Sequence, residues 1–194
     1  MSKYFSDWRI LYVWAYILRC KIYDLAMKCI GVRPTKRRVL SRIKSAFAGR
    51  PYPGFEVLMD ESNVSGDEGY DLIDLIGKYP WQDVDRNVPY DSLAYNITGM
   101  SFISKETFAY YLPAFMIASL KYEWANDNVL GNVLSSLTYH EEYDWSRERL
   151  ALFNNDERNA IRMYLDFLKY FGGGELGHGR DAEKVLASLT SIWD

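Results

Sequence analysis

One segment governs what this chain can fold into. From Ser104 to about Trp124 runs a strongly apolar stretch in which Phe108, Tyr111, Leu112, Phe115, Met116 and Leu120 recur at helical spacing. Ser104 is placed to cap it, and Pro113 lies inside it. A proline there removes one backbone hydrogen bond, so the pattern predicts a buried central helix bent near Ala109–Tyr110, its freed carbonyl satisfied by water or a side chain. The remaining elements must be able to cover it.

The flanking segments are suited to that task. Thr35 to Phe47 reads as a helix with Val39, Leu40, Ile43 and Phe47 on one face and basic residues on the rest. Tyr70–Ile76 reads as a short amphipathic helix stopped by Gly77 and Pro80, and Asn126–Leu137 as another. Asn155 is expected to cap a helix over Asp156–Phe171, with Ile161, Tyr164, Leu165 and Leu168 inward, and Asp181 to cap a last one ending at Trp193. Residues 81–103, rich in Asp, Asn, Pro and Gly, are expected to be irregular, with a short strand at Leu93–Ile97. The fold class is therefore mainly α: residues 1–194 as one irregular helical bundle of about six helices, with at most a short minor β element. Residues 172–180 form a glycine-rich link to the last helix.

The N-terminal segment 1–34 stands apart. Leu11, Ala15, Leu18, Ile22, Leu25 and Cys29 make an apolar seam on a helix from about Asp7 to Ile30. Its apolar run, Ile10 to Leu18, is too short to span a bilayer and lacks a signal-peptide cleavage site. Its cations are not gathered on one face, since Arg19 projects away from Lys21 and Lys28, so a membrane surface is disfavoured. Packing on the same domain is expected, with a homodimer through this helix as the next choice.

Charge is divided along the chain. Residues 1–50 carry 12 Lys and Arg against Asp7 and Asp24, whereas residues 51–194 carry 11 basic and 24 acidic residues. The expectation is that the basic second helix lies against the acidic remainder. The acidic bulk argues against nucleic acid as a partner of the Arg33–Arg50 segment. Two cysteines, Cys20 and Cys29, on opposite sides of one helix, suggest a reduced, cytoplasmic setting.

Motifs for catalysis or metal binding all break off. Asp83-Val84-Asp85-Arg86-Asn87 begins like a calcium loop, but Val88 stands where glycine is needed and Ala94 where the closing glutamate belongs. The glycines from Gly172 to Gly177 have phosphate-loop spacing, yet His178 replaces the lysine and the segment follows a helix. His140-Glu141-Glu142 has no second histidine four residues on. No cofactor, metal or catalytic residue is expected, and the chain reads as a non-enzymatic binding protein, with an enzyme or regulatory domain as the alternative.

From Ile43 to about Tyr170 the chain resembles a bacterial domain family of unknown function built around a Tyr-Tyr-Leu-Pro-Ala-Phe helix, here Tyr110–Phe115. Ala46-Phe47, Pro51–Pro53, Gly77-Lys78 with Trp81, Ala160-Ile161 and Phe167-Leu168 accompany it. The resemblance implies a fold and carries no activity. Small acidic helical proteins of this kind resemble immunity proteins, which neutralise a toxin in the bacterial cytoplasm; by that analogy the partner is a basic toxin domain. The residues expected to bind it are Asp60, Glu61, Asp67, Glu68, Tyr70, Asp71, Asp74 and Trp81 in one stretch, and Tyr139, Glu141, Glu142, Tyr143, Asp144 and Trp145 in another.

Overall fold

The computed structural model describes residues 34–121, 127–140, 144–171 and 178–193. The expected first helix and residues 172–177 of the expected link 172–180 lie outside these residues, and residues 178–180 of that link are helical. Residues Met1–Thr35 and Lys36–Asp194 form two separate compact units, and every described helix belongs to the second. Ten α-helices occur among the described residues: α1 Lys36–Phe47, α2 Phe55–Leu58, α3 Gly66–Ile76, α4 Trp81–Asn87, α5 Tyr90–Asn96, α6 Lys105–Lys121, α7 Asp127–Leu137, α8 Asp144–Ala151, α9 Asn155–Phe171 and α10 His178–Trp193. A 3₁₀ turn, Ile97–Ser101, follows α5. The class is α as expected, with more helices than the expected six.

Helix α6 is the axis. Ser104 Oγ accepts the backbone N–H of Thr107 at 3.1 Å, which satisfies one of the free donors at the helix start. Every residue from Thr107 to Leu120 is buried, Pro113 included, and the helix is continuous through the proline. The chain covers α6 with α1, α4, α7 and α8. Fully burying a Leu or Phe side chain is worth roughly 1.5–3 kcal/mol, so this helix is a large share of what drives collapse. Its buried side-chain hydroxyls have partners. Tyr111 donates its hydroxyl to Tyr79 O at 3.0 Å. Ser119 donates to Met116 O at 2.8 Å, so its single hydroxyl proton is used and the 2.8 Å contact with Tyr164 is donated by the tyrosine.

Helix α1 buries Val39, Ile43 and Phe47, one residue per turn, against α6 and α9. Opposite charge partners stand at the start of α9, as the charge division predicts: Arg42 of α1 pairs with Asp156 at 2.8 Å, and Arg50, just beyond α1, with Glu157 at 2.6 Å. The cap of α9 is one residue earlier than expected. Asn154, not Asn155, accepts the N–H of Glu157 at 3.0 Å, and Glu157 accepts the N–H of Asn154 at 2.9 Å, a reciprocal capping box. Helix α10 likewise begins before Asp181, at His178, and packs along α9 and α7.

The expected strand at Leu93–Ile97 is not formed. Residues 81–101 are two short helices and the 3₁₀ turn. Pro80 and Pro89 stand immediately before α4 and α5, and Asp83 and Asp91 fall in the first turns, where a fixed φ and a negative charge favour helix initiation. The β content among the described residues is one antiparallel bridge, Val64 with Ile103. It sets the loop before α3 beside the exit of the 3₁₀ turn, through Ser65 N to Phe102 O at 2.9 Å and Ser104 N to Asn63 O at 2.7 Å. Gly99 permits this, because a Cβ there would collide with the backbone of Glu68 and stand 2.7 Å from Leu72 Cβ.

Candidate functional site

The bridge joining residues 63–65 to 102–104 leaves a cleft of about 370 Å³ between itself and α8. Glu61, Ser62 and Ser65 line one side, Ser101, Phe102 and Lys105 the middle, and Trp145, Glu148 and Arg149 the other. Trp145 and Arg149 share one face of α8 by their spacing of four. Phe102 and Trp145 keep 40% and 48% of their surface exposed, whereas Arg149 keeps 5%.

Arg149 donates to Met100 O at 3.2 Å and to Ile103 O at 2.9 Å, which ties α8 to the exit of the 3₁₀ turn. Its guanidinium carbon lies 4.4 Å from the ring centre of Phe108 and 5.2 Å from that of Trp145. Among the described residues no carboxylate pairs with it. Burial without an opposing charge pushes its pKa down to about 10, still far enough above neutrality to keep the group charged. Lys105 and Glu148, in contrast, hold each other at 2.8 Å; that contact raises the lysine and lowers the glutamate. A smaller hollow of about 200 Å³, lined by Val57, Glu106 and Tyr110 among others, adjoins the cleft through Asn63.

The structure brings the two expected binding stretches together at one point: Glu61 and Trp145 wall the same cleft. Asp60, beside Glu61, is exposed, and its carboxyl is lowered by hydrogen bonds from the side chain and backbone of Ser62. Asp67 and Glu68 are exposed in the first turn of α3, and Asp71 and Asp74 on its outer face, Asp74 paired with Lys78 at 2.9 Å. Asp144 is exposed at the start of α8. Tyr70 is half-buried and packs on the core. Tyr139 is half-buried too, and its hydroxyl accepts from Arg147 at 2.9 Å. Glu141, Glu142 and Tyr143 lie outside the described residues. Trp81 is the correction. At 1% exposure its ring belongs to the core between α4 and α6 and offers nothing to a partner.

Sequence reasoning missed Arg149, Phe102, Lys105 and Glu148. The Trp145–Arg149 spacing was the available signal, but it stands out only once α8 is known to be a helix. Among the described residues no cluster of His, Cys, Asp or Glu could hold a metal ion, and no helix is long and apolar enough to cross a membrane. Asp83, Asp85 and Asn87 lie on helix α4.

Fold and cleft together define, among the described residues, an all-α protein with an open cleft lined by a buried arginine. The chain belongs to the family of unknown function DUF6714, whose model matches residues 35–193. That span extends the resemblance seen around Tyr110–Phe115 over the whole second unit. No curated protein and no solved structure matches the chain.

Proposed function

We propose that this chain is a non-enzymatic binding protein acting in the bacterial cytoplasm, and that its partner is a basic toxin domain which it neutralises by direct contact. The observation that carries the reading is the meeting of Glu61 and Trp145 in one cleft, with the exposed ring of Phe102 beside them and the acids of α3 nearby in the chain. Half-exposed aromatics are the side chains that most often dominate binding energy, and surrounding acids steer a basic partner and exclude others. Neither property needs a catalytic group.

Co-expression with the product of the neighbouring reading frame tests the proposal. The native chain should rescue growth and copurify with that product. Trp145→Ala should weaken the complex by about tenfold or more, the scale of an interface hot spot. A neighbour that is harmless alone, or lethal and unbound in the presence of this chain, defeats the reading.

A further inference from the structure

Arg149 carries more hydrogen-bonding capacity than the fold uses. A guanidinium has five N–H donors, and the bonds to Met100 O and Ile103 O engage one on each terminal nitrogen. Phe108 and Trp145 both lie against the guanidinium, and its remaining N–H donors point outward in its own plane. Among the described residues the charge is also unanswered. Lys105 and Glu148 neutralise each other, and Glu61 is an exposed group on the cleft wall. A buried cation without a counter-charge is costly, and a ligand that supplies one recovers part of that cost on binding.

We propose that the cleft over Arg149 is a carboxylate-binding site, which takes a peptide carboxylate in the plane of the guanidinium with the neighbouring apolar side chain against Phe102 and Trp145. A planar two-oxygen anion matches the planar fork of an arginine. A phosphate dianion asks for more cation than one arginine beside a neutralised Lys105–Glu148 pair supplies. The inference rests on the reading of this cleft as a binding face. It divides the partner's chemistry: basic groups meet the exposed acids at the rim, and a carboxylate reaches the floor.

The test uses the full native chain and nuclear magnetic resonance signals of the Trp145 indole N–H and the Arg149 Nε–H. The probes are N-acetyl-glycyl-phenylalanine, its carboxamide, N-acetyl-aspartyl-phenylalaninamide and inorganic phosphate. The first and third carry a terminal and a side-chain carboxylate, and whichever binds more tightly names the source. At least one should shift both signals saturably, with the carboxamide weaker by about tenfold or more, as expected for loss of a charge-assisted bond. Trp145→Ala, at a half-exposed position, should weaken the acid while thermal denaturation shows the fold retained. Arg149→Lys, which keeps the charge and loses the fork, should weaken it further where that variant folds. Equal binding of acid and carboxamide, equal shifts with phosphate, or no saturable shift with either acid overturns the site. A chain that ignores both acids yet copurifies with its toxin overturns the carboxylate site alone, and leaves the protein-binding reading standing.

Discussion

Gly99 shows how closely single residues are fitted. The 3₁₀ turn approaches α3 so tightly that a methyl group at Gly99 meets backbone as well as Leu72, and backbone cannot swing aside as a side chain can. Gly99→Ala should therefore destabilise the fold by roughly 1–3 kcal/mol, the usual cost of overpacking, read as a lower denaturant midpoint with an unchanged slope. Because the same turn supplies Met100 O to Arg149, the variant should also loosen the cleft. Residues of this kind were not legible beforehand. In the string Asp-Trp-Ser-Arg-Glu-Arg-Leu only a spacing of four from Trp145 sets Arg149 apart from Arg147, a signal that is mute until α8 is known to be a helix, and Trp81 reads as an exposed aromatic until α4 is laid against α6. Glu61 and Trp145 were legible as binding candidates one at a time, while their convergence depends on a backbone bridge that carries no sequence signature.

Among the elements, the helices that sequence periodicity revealed are those long enough to repeat. Helices α1, α3, α6, α7, α9 and α10 each span 11 or more residues, and a helix was expected in each place, α3 only from Tyr70 onward. Helices α4 and α5, at seven residues each, make two turns, too few for a period, and their Asp and Asn content imitates a loop. Helix α8 was hidden for another reason. Its buried positions are Ser146, Arg149 and Leu150, so its inward face is largely polar and gives no apolar stripe. The start of α9 concentrates more function than its length suggests. Glu157 caps the helix and also receives Arg50 through both carboxylate oxygens, at 2.6 and 2.8 Å. Glu157→Ala removes both and leaves Arg50 a half-buried, unanswered charge. The loss should be about 3 kcal/mol, at the low end for a buried pair because Arg50 keeps some contact with water. Glu157→Gln should recover part of that by keeping the cap, and a double-mutant cycle with Arg50→Met separates the cap from the ion pair.

For the molecule as a whole, the core runs from Val39 to Trp193, and both the second compact unit and the family match begin within a residue of Thr35. The chain from Pro34 onward is expected to unfold in a single cooperative transition, checked by thermal denaturation followed by circular dichroism. A broad, non-cooperative melt would show that its core is incomplete. Alkaline pH offers a second test. Burial raises the pKa of Tyr110, Tyr111 and Tyr164, so the fold holds them neutral. Their contribution is present in full below pH 10, where unfolded tyrosine is also neutral, and is lost as pH rises above 10 towards the folded values. Arg149, whose pKa burial pulls down to about 10, works in the opposite direction over that interval. Three tyrosines against one arginine leave stability falling. Phenolate absorbance should show these tyrosines ionising together, in step with loss of helix, and ionisation with the helices intact would contradict it. Helix α6 carries a last consequence. Tyr110 to Phe115, the hexapeptide by which this chain resembles its family, is buried throughout. A motif sealed inside the molecule certifies common architecture and is silent about trade. Two chains that share it inherit the same frame, whatever residues stand at the rim positions of Glu61, Phe102 and Trp145.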